Sequence, residues 1–165
     1  YMENGCKNHL ATIEDYELQA NLCFPEVRMR NFIEIRNHDC VGGDLKYSIP
    51  AIYKGIMYSE QAMRDCEELF KHLQYNDFSE IRYNVPKTTL NTRIKKARVF
   101  DYAIEILKIA ERGLRSFDTG EEYFLEPIKE YTFNKKTPAD IIVQNWNGCW
   151  NKDLRKLVNY LSSPE

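Results

Sequence analysis

The feature that most constrains this chain is one alternating stretch, Val27-Arg28-Met29-Arg30-Asn31-Phe32-Ile33-Glu34-Ile35-Arg36, in a sequence whose other apolar spacing is helical. A period of two places Val27, Met29, Ile33 and Ile35 on one face of an extended segment. Arg28, Arg30, Phe32, Glu34 and Arg36 then lie on the other. Read as one strand over 27–36, the stretch has no sheet to join, and the N–H and C=O groups of a lone strand need partners. Those partners are expected from another chain or from protein beyond these 165 residues. The chain's opening on Tyr1, as though cut from something longer, points the same way.

The remainder reads as helices joined by loops. A helix is expected over Ile13–Cys23, ended by Phe24-Pro25, because a residue before proline is pushed away from helical dihedrals. A second is expected from Ile49 to Met57. From Ser59, an N-cap candidate, Ala62, Met63, Cys66, Leu69, Phe70 and Leu73 keep helical spacing. Asn84 to Arg93 reads as a polar loop. The longest helix is expected from Lys95 to Arg115, with Val99, Phe100, Ala103, Ile106, Leu107, Ala110 and Leu114 inward. Asp101, Glu105, Lys108, Arg112 and Arg115 would face water. Thr137-Pro138-Ala139-Asp140 has the cap, proline and early acid of a helix start. A last helix carries Leu154, Leu157, Val158 and Leu161 on one side. The fold class that follows is mostly helical α+β with one clear strand, and residues 1–165 are expected to form a single piece.

Composition narrows the function classes. Hydrophobic residues make up 43% and aromatic residues 13%, too many for a disordered chain. The 23 basic and 25 acidic side chains leave a formal charge of −2, which argues against a dedicated nucleic-acid binder. No apolar run approaches the ~20 residues of a membrane helix, and Tyr1-Met2-Glu3-Asn4 lacks the layout of a signal peptide. Five cysteines (Cys6, Cys23, Cys40, Cys66 and Cys149) fall without a C-x-x-C pair. They read as free thiols in a reducing, cytoplasmic setting rather than as disulfides or zinc ligands.

The polar strand face holds the chemistry. Same-face neighbours on a strand lie about 6.6 Å apart, so Glu34 and Arg36 can both reach one ligand. Guanidiniums grip phosphate oxygens in pairs, and a carboxylate can hold the magnesium that bridges them. The plain alternative is a solvated strand face with a same-face ion pair, worth about 0–1 kcal/mol. Asp39, three residues past Arg36, could orient that arginine or cap a turn; His38 could be a base or ordinary polar surface. Gly42-Gly43-Asp44 matches no phosphate-binding motif and reads as a turn. Lys87, Arg93, Lys95, Lys96 and Arg98 cluster near a helix start, either as a solvated charge run or as a contact for an anionic group.

The segments Phe24-Pro25-Glu26-Val27-Arg28 and Ile33-Glu34-Ile35-Arg36-Asn37-His38-Asp39 resemble the C-terminal part of glutamate–cysteine ligases of the plant and bacterial branch. Ile49-Pro50-Ala51-Ile52-Tyr53-Lys54-Gly55-Ile56-Met57-Tyr58 is similar to that family's L-P-A-x-x-x-G-L-x-Y helix, and Val85-Pro86-Lys87-Thr88-Thr89-Leu90-Asn91-Thr92 to its V-P-x-x-G-L-x-T loop. Ile109–Leu114 and Thr137–Asp140 have counterparts in the same order. Two positions depart from the pattern: Gln19 stands where many relatives have histidine, and Thr89 replaces the glycine of the V-P loop.

The resemblance implies a C-terminal piece of an ATP- and magnesium-dependent ligase built on a glutamine-synthetase-like antiparallel sheet. In such an enzyme the glutamate γ-carboxylate is phosphorylated and the cysteine amine displaces phosphate. By the same resemblance Glu34 would be a magnesium ligand and Arg36 a phosphate-binding arginine, where charge neutralisation carries such reactions. Arg28 would meet a substrate carboxylate, and Asp39 would orient its neighbours. The implied partners are glutamate, cysteine, ATP and the N-terminal part of the same enzyme, with no nucleic acid and no membrane. The expected alternatives are a related ligase with another amine acceptor, or a non-catalytic helical module that keeps the scaffold.

Overall fold

A computed structural model describes Gly5, Lys7 and residues 9–162. The Tyr1–Asn4 segment and Cys6, on which two of the expectations above rest, lie outside the described residues. The described chain divides into two compact units, residues 1–39 and 40–165.

The N-terminal unit holds helix α1 (Ile13–Leu22) and strands β1 (Val27–Met29) and β2 (Ile33–Ile35). Thr12 and Asp15 form a reciprocal capping box at the start of α1: the Asp15 N–H donates to Thr12 Oγ1 at 3.2 Å, and the Thr12 N–H to Asp15 Oδ2 at 2.9 Å. The helix stops at Leu22, before Pro25, as its sequence requires.

The single strand expected over 27–36 is instead an antiparallel hairpin, with Val27 opposite Ile35, Arg28 opposite Glu34 and Met29 opposite Ile33. The chain reverses through Arg30-Asn31-Phe32, where the Arg30 N–H donates to the Phe32 carbonyl at 2.8 Å. A connection of three residues keeps the parity of the alternation, so the two-residue period runs through the reversal and hides it. The strand therefore finds its partner within its own ten residues, which corrects the inference that all its partners lie elsewhere.

The C-terminal unit is helical: α2 (Leu45–Met57), α3 (Glu60–Phe70), α4 (Tyr75–Thr88), α5 (Val99–Arg115), α6 (Glu126–Phe133), α7 (Pro138–Asn147) and α8 (Leu154–Ser162). A two-stranded hairpin, β3 (Arg93–Ile94) and β4 (Ala97–Arg98), leads into α5. The mostly helical α+β class holds. Ser59 caps α3 by accepting from the Ala62 N–H at 3.3 Å, and Thr137 caps α7 by accepting from Asp140 at 3.2 Å.

Two expectations fail in this unit. The segment 84–93 is not a loop, because α4 runs to Thr88 with Pro86 inside it. Proline removes one backbone bond near the helix end, and Ile81 packing on the core one turn earlier carries the helix past that loss. The helix expected from Lys95 begins at Val99, since residues 93–98 are spent on the hairpin.

Two apolar clusters hold the unit. Ala51, Ala110, Leu114 and Leu125 form one, and Leu73, Ile94 and Tyr102 the other. At the first, α2 and α5 approach backbone to backbone through Gly55 and Gly113. A Cβ on Gly113 would collide with the Gly55 carbonyl, and one on Gly55 with the Ala110 carbonyl. Close helix packing of this kind admits only small residues on both sides. Among the described residues no helix is long and apolar enough to cross a membrane.

Candidate functional site: a carboxylate held by two arginines

The hairpin register places Arg28 directly across from Glu34, and Arg36 follows two residues on along the same face. Glu34 Oε2 accepts from Arg28 Nε at 2.8 Å and lies 2.7 Å from Arg28 Nη2, a two-pronged guanidinium–carboxylate pair. Its other oxygen, Oε1, accepts from Arg36 Nη1 at 3.1 Å. The Phe24 ring lies beside both cations, with its centroid 5.7 Å from the Arg28 guanidinium carbon and 4.8 Å from that of Arg36. Phe24 reaches this position because Pro25 keeps the preceding backbone extended after α1 ends. In the sequence Phe24 stands out as a helix stop and as the first residue of a segment resembling the ligases, and no spacing rule marks it as a platform for arginines 4 and 12 residues away.

The two arginines are engaged differently. Arg28, whose side chain is 11% exposed, also donates through Nη1 to the Asn21 carbonyl at 3.3 Å and the Cys23 carbonyl at 3.4 Å. All three of its nitrogens therefore have acceptors, two of them at the negative end of α1. Arg36, 35% exposed, commits only Nη1 to Glu34 and keeps Nε and Nη2 for another acceptor. Arg30 turns away to Asn21 Oδ1 at 2.9 Å. Hydrogen bonding from Arg28, joined by the charges of both arginines, holds the Glu34 carboxyl below its ordinary pKa against the cost of partial burial.

The structure thus brings Arg28, Glu34 and Arg36 together and leaves Asp39 apart. Asp39 is exposed and is not among the partners of Arg36. The side chains of Cys23, Cys40, Cys66 and Cys149 are free thiols. Magnesium, which the resemblance implies, prefers near-octahedral oxygen coordination. Both Glu34 oxygens are taken by guanidiniums, and among the described residues no three His, Cys, Asp or Glu side chains converge to hold a metal ion. Among the described residues, the side chains at this site do not by themselves make a magnesium site. Arg36 offers two further N–H-bearing nitrogens on one planar fork, a geometry that can receive an oxyanion.

No family model matches the chain. Curated proteins do. The chain is 27% identical over 152 residues to the chloroplastic glutamate–cysteine ligase of Solanum lycopersicum, covering 91% of this chain and 29% of that protein. It is 29% identical over 147 residues to the chloroplastic glutamate–cysteine ligase of Brassica juncea, covering 88% of this chain and 28% of that one. The same-named enzyme of Arabidopsis thaliana is 28% identical over 153 residues, covering 92% of this chain and 27% of its own length. The chain therefore spans less than a third of the length of these relatives. Their chloroplastic setting overturns the cytoplasmic expectation that rested on cysteine usage; scattered free thiols do not distinguish one reducing compartment from another.

Proposed function

We propose that the chain is part of a carboxylate–amine ligase that joins the glutamate γ-carboxylate to the amine of cysteine. The observation that carries this reading is the Arg28–Glu34–Arg36 cluster, which falls within a stretch similar to glutamate–cysteine ligases along most of the chain. ATP would supply the phosphoryl group: a γ-carboxylate oxygen attacks the terminal phosphorus and ADP leaves. The amine nitrogen then attacks the acyl carbon, and the C–O bond to phosphate breaks with loss of a proton from nitrogen.

In this reading Arg36 meets phosphate oxygens through Nε and Nη2. Arg28 and Glu34 are positioning residues: Arg28 anchors the carboxylate to the end of α1, and the carboxylate fixes the tilt of the Arg36 plane over Phe24. Oriented guanidiniums of this sort stabilise the charge that develops on a transferring phosphoryl group. No step is assigned to a metal, because Glu34 is already bound on both oxygens.

The test is ADP release with ATP, magnesium and glutamate, with and without cysteine. It compares a polypeptide that carries this chain at the length of its relatives with the 165-residue chain alone. Cysteine-dependent release from the longer form only is the expected result. Release driven by a different amine would change the acceptor and keep the chemistry. No release with any amine would favour a non-catalytic module.

A further inference from the structure

The hairpin that leads into α5 carries a charge arrangement that the ligase reading leaves unused. Four of its six residues, Arg93-Ile94-Lys95-Lys96-Ala97-Arg98, are cationic. Lys95, at the φ of +52° in the two-residue turn, is neutralised by Asp77 at 2.8 Å and donates to the His72 carbonyl at 2.6 Å. Arg93, Lys96 and Arg98 are exposed, and among the described residues none of the three has a carboxylate partner. The acid nearest in sequence, Asp101, commits Oδ2 to the Arg98 backbone N–H at 2.8 Å.

Register makes the arrangement unfavourable in isolation. Arg93 lies directly opposite Arg98, and the flanking bond from the Val99 N–H to the Thr92 carbonyl, 2.9 Å, makes 93–98 a non-hydrogen-bonded pair. In such pairs the Cα atoms approach to about 4.5 Å and the side chains are closest. Like charges placed this way repel. A slip of one residue would separate them, but it would also turn Ile94, 6% exposed in the Leu73–Tyr102 cluster, out to water. The buried face holds the two arginines in opposed register on the exposed face of the hairpin, next to the positive end of a 17-residue helix.

We propose that Arg93 and Arg98, with Lys96 in the turn that joins their strands, bind a diphosphate-bearing small molecule, each arginine fork taking one of its two adjacent phosphoryl groups. The proposal does not depend on the ligase reading.

The test is pyrophosphate titration by calorimetry and thermal melting at constant ionic strength, in an Arg36→Gln background so that the hairpin is read alone. The Arg36→Gln chain should bind pyrophosphate saturably and melt higher with it. Adding Arg93→Gln and Arg98→Gln should cost at least tenfold in affinity, while the unliganded protein melts no lower, since the repulsion has been removed. ADP in a parallel arm separates the sources: affinity equal to pyrophosphate assigns recognition to the diphosphate alone, and tighter binding adds a nucleoside contact. A response no larger than that to sodium chloride at equal ionic strength overturns the proposal. So does binding within twofold after both substitutions, or a lower unliganded melting temperature in that variant.

Discussion

The two units of this chain are stabilised in different ways. In residues 40–162 the helices bury two apolar clusters, and Leu114, Leu125 and Ala110 have no exposed surface. In the N-terminal unit every described residue is at least partly exposed, and Leu10, Ile13, Leu22, Phe24 and Met29 show most of their surface. Its order comes from a capping box, a three-residue reversal and one carboxylate shared by two guanidiniums over a ring. Apolar burial supplies most of the folding free energy of a domain, and exposed ion pairs supply little. The candidate site therefore sits on the unit with the least burial of its own. The order around Arg36 comes from Glu34 and Phe24 and not from an apolar core within its own unit.

Substitutions can sharpen that contrast. The largest effect is expected at Gly113→Ala, which drives a methyl into the Gly55 carbonyl. Overpacking of this kind costs about 1–3 kcal/mol, more than the ~1 kcal/mol gained in helix propensity. Thermal melting should show a clear fall, with the helical signal of residues 40–162 lost in one step. An unchanged melting temperature would mean that α2 and α5 are not tightly apposed.

A smaller effect of opposite sign is expected at Thr89, the C-cap of α4, which has φ 47° and ψ −129°. That region suits glycine, and a β-branched residue there is strained. Thr89→Gly should raise stability by about 1 kcal/mol, read from a denaturant midpoint. The resemblance had marked the same position as one where relatives carry glycine, so this chain retains a turn that its residue fits poorly.

Acid should act first on the N-terminal unit. The Glu34 pKa is lowered in the folded protein, so its contribution is complete above the ordinary glutamate range and is lost as pH falls through the depressed value. The Arg28 side-chain N–H signals should lose protection in that window while α5 amides stay protected. Simultaneous loss would contradict the different stabilisation of the two units. Asp77 and Asp65, held low by Lys95 and Arg112, follow the same sign in the C-terminal unit, where apolar burial remains.

Much of this was legible in sequence, and the exceptions have physical causes. Thr137-Pro138-Ala139-Asp140 announced its helix because cap, proline and acid act within one turn. The pairing of Arg28 with Glu34 was hidden because an odd-length reversal preserves parity, so ten residues read as one strand. Pro86 made a helix end look like a loop, since its local penalty is visible in sequence and the packing of Ile81 is not. The glycine crossing and the Phe24 platform are tertiary facts: Gly55 and Gly113 lie far apart in the chain, and only the fold brings the two backbones together.

The central claim is that the Arg28–Glu34–Arg36 cluster serves a ligand and not the stability of the fold. The most direct measurement pairs cysteine-dependent ADP release with thermal melting for Arg36→Ala in the relative-length polypeptide. The account predicts turnover reduced at least a hundredfold with the melting temperature nearly unmoved, because Arg36 is partly exposed and spends one nitrogen on Glu34. Retained turnover with a markedly lower melting temperature would contradict it and return the cluster to a structural role.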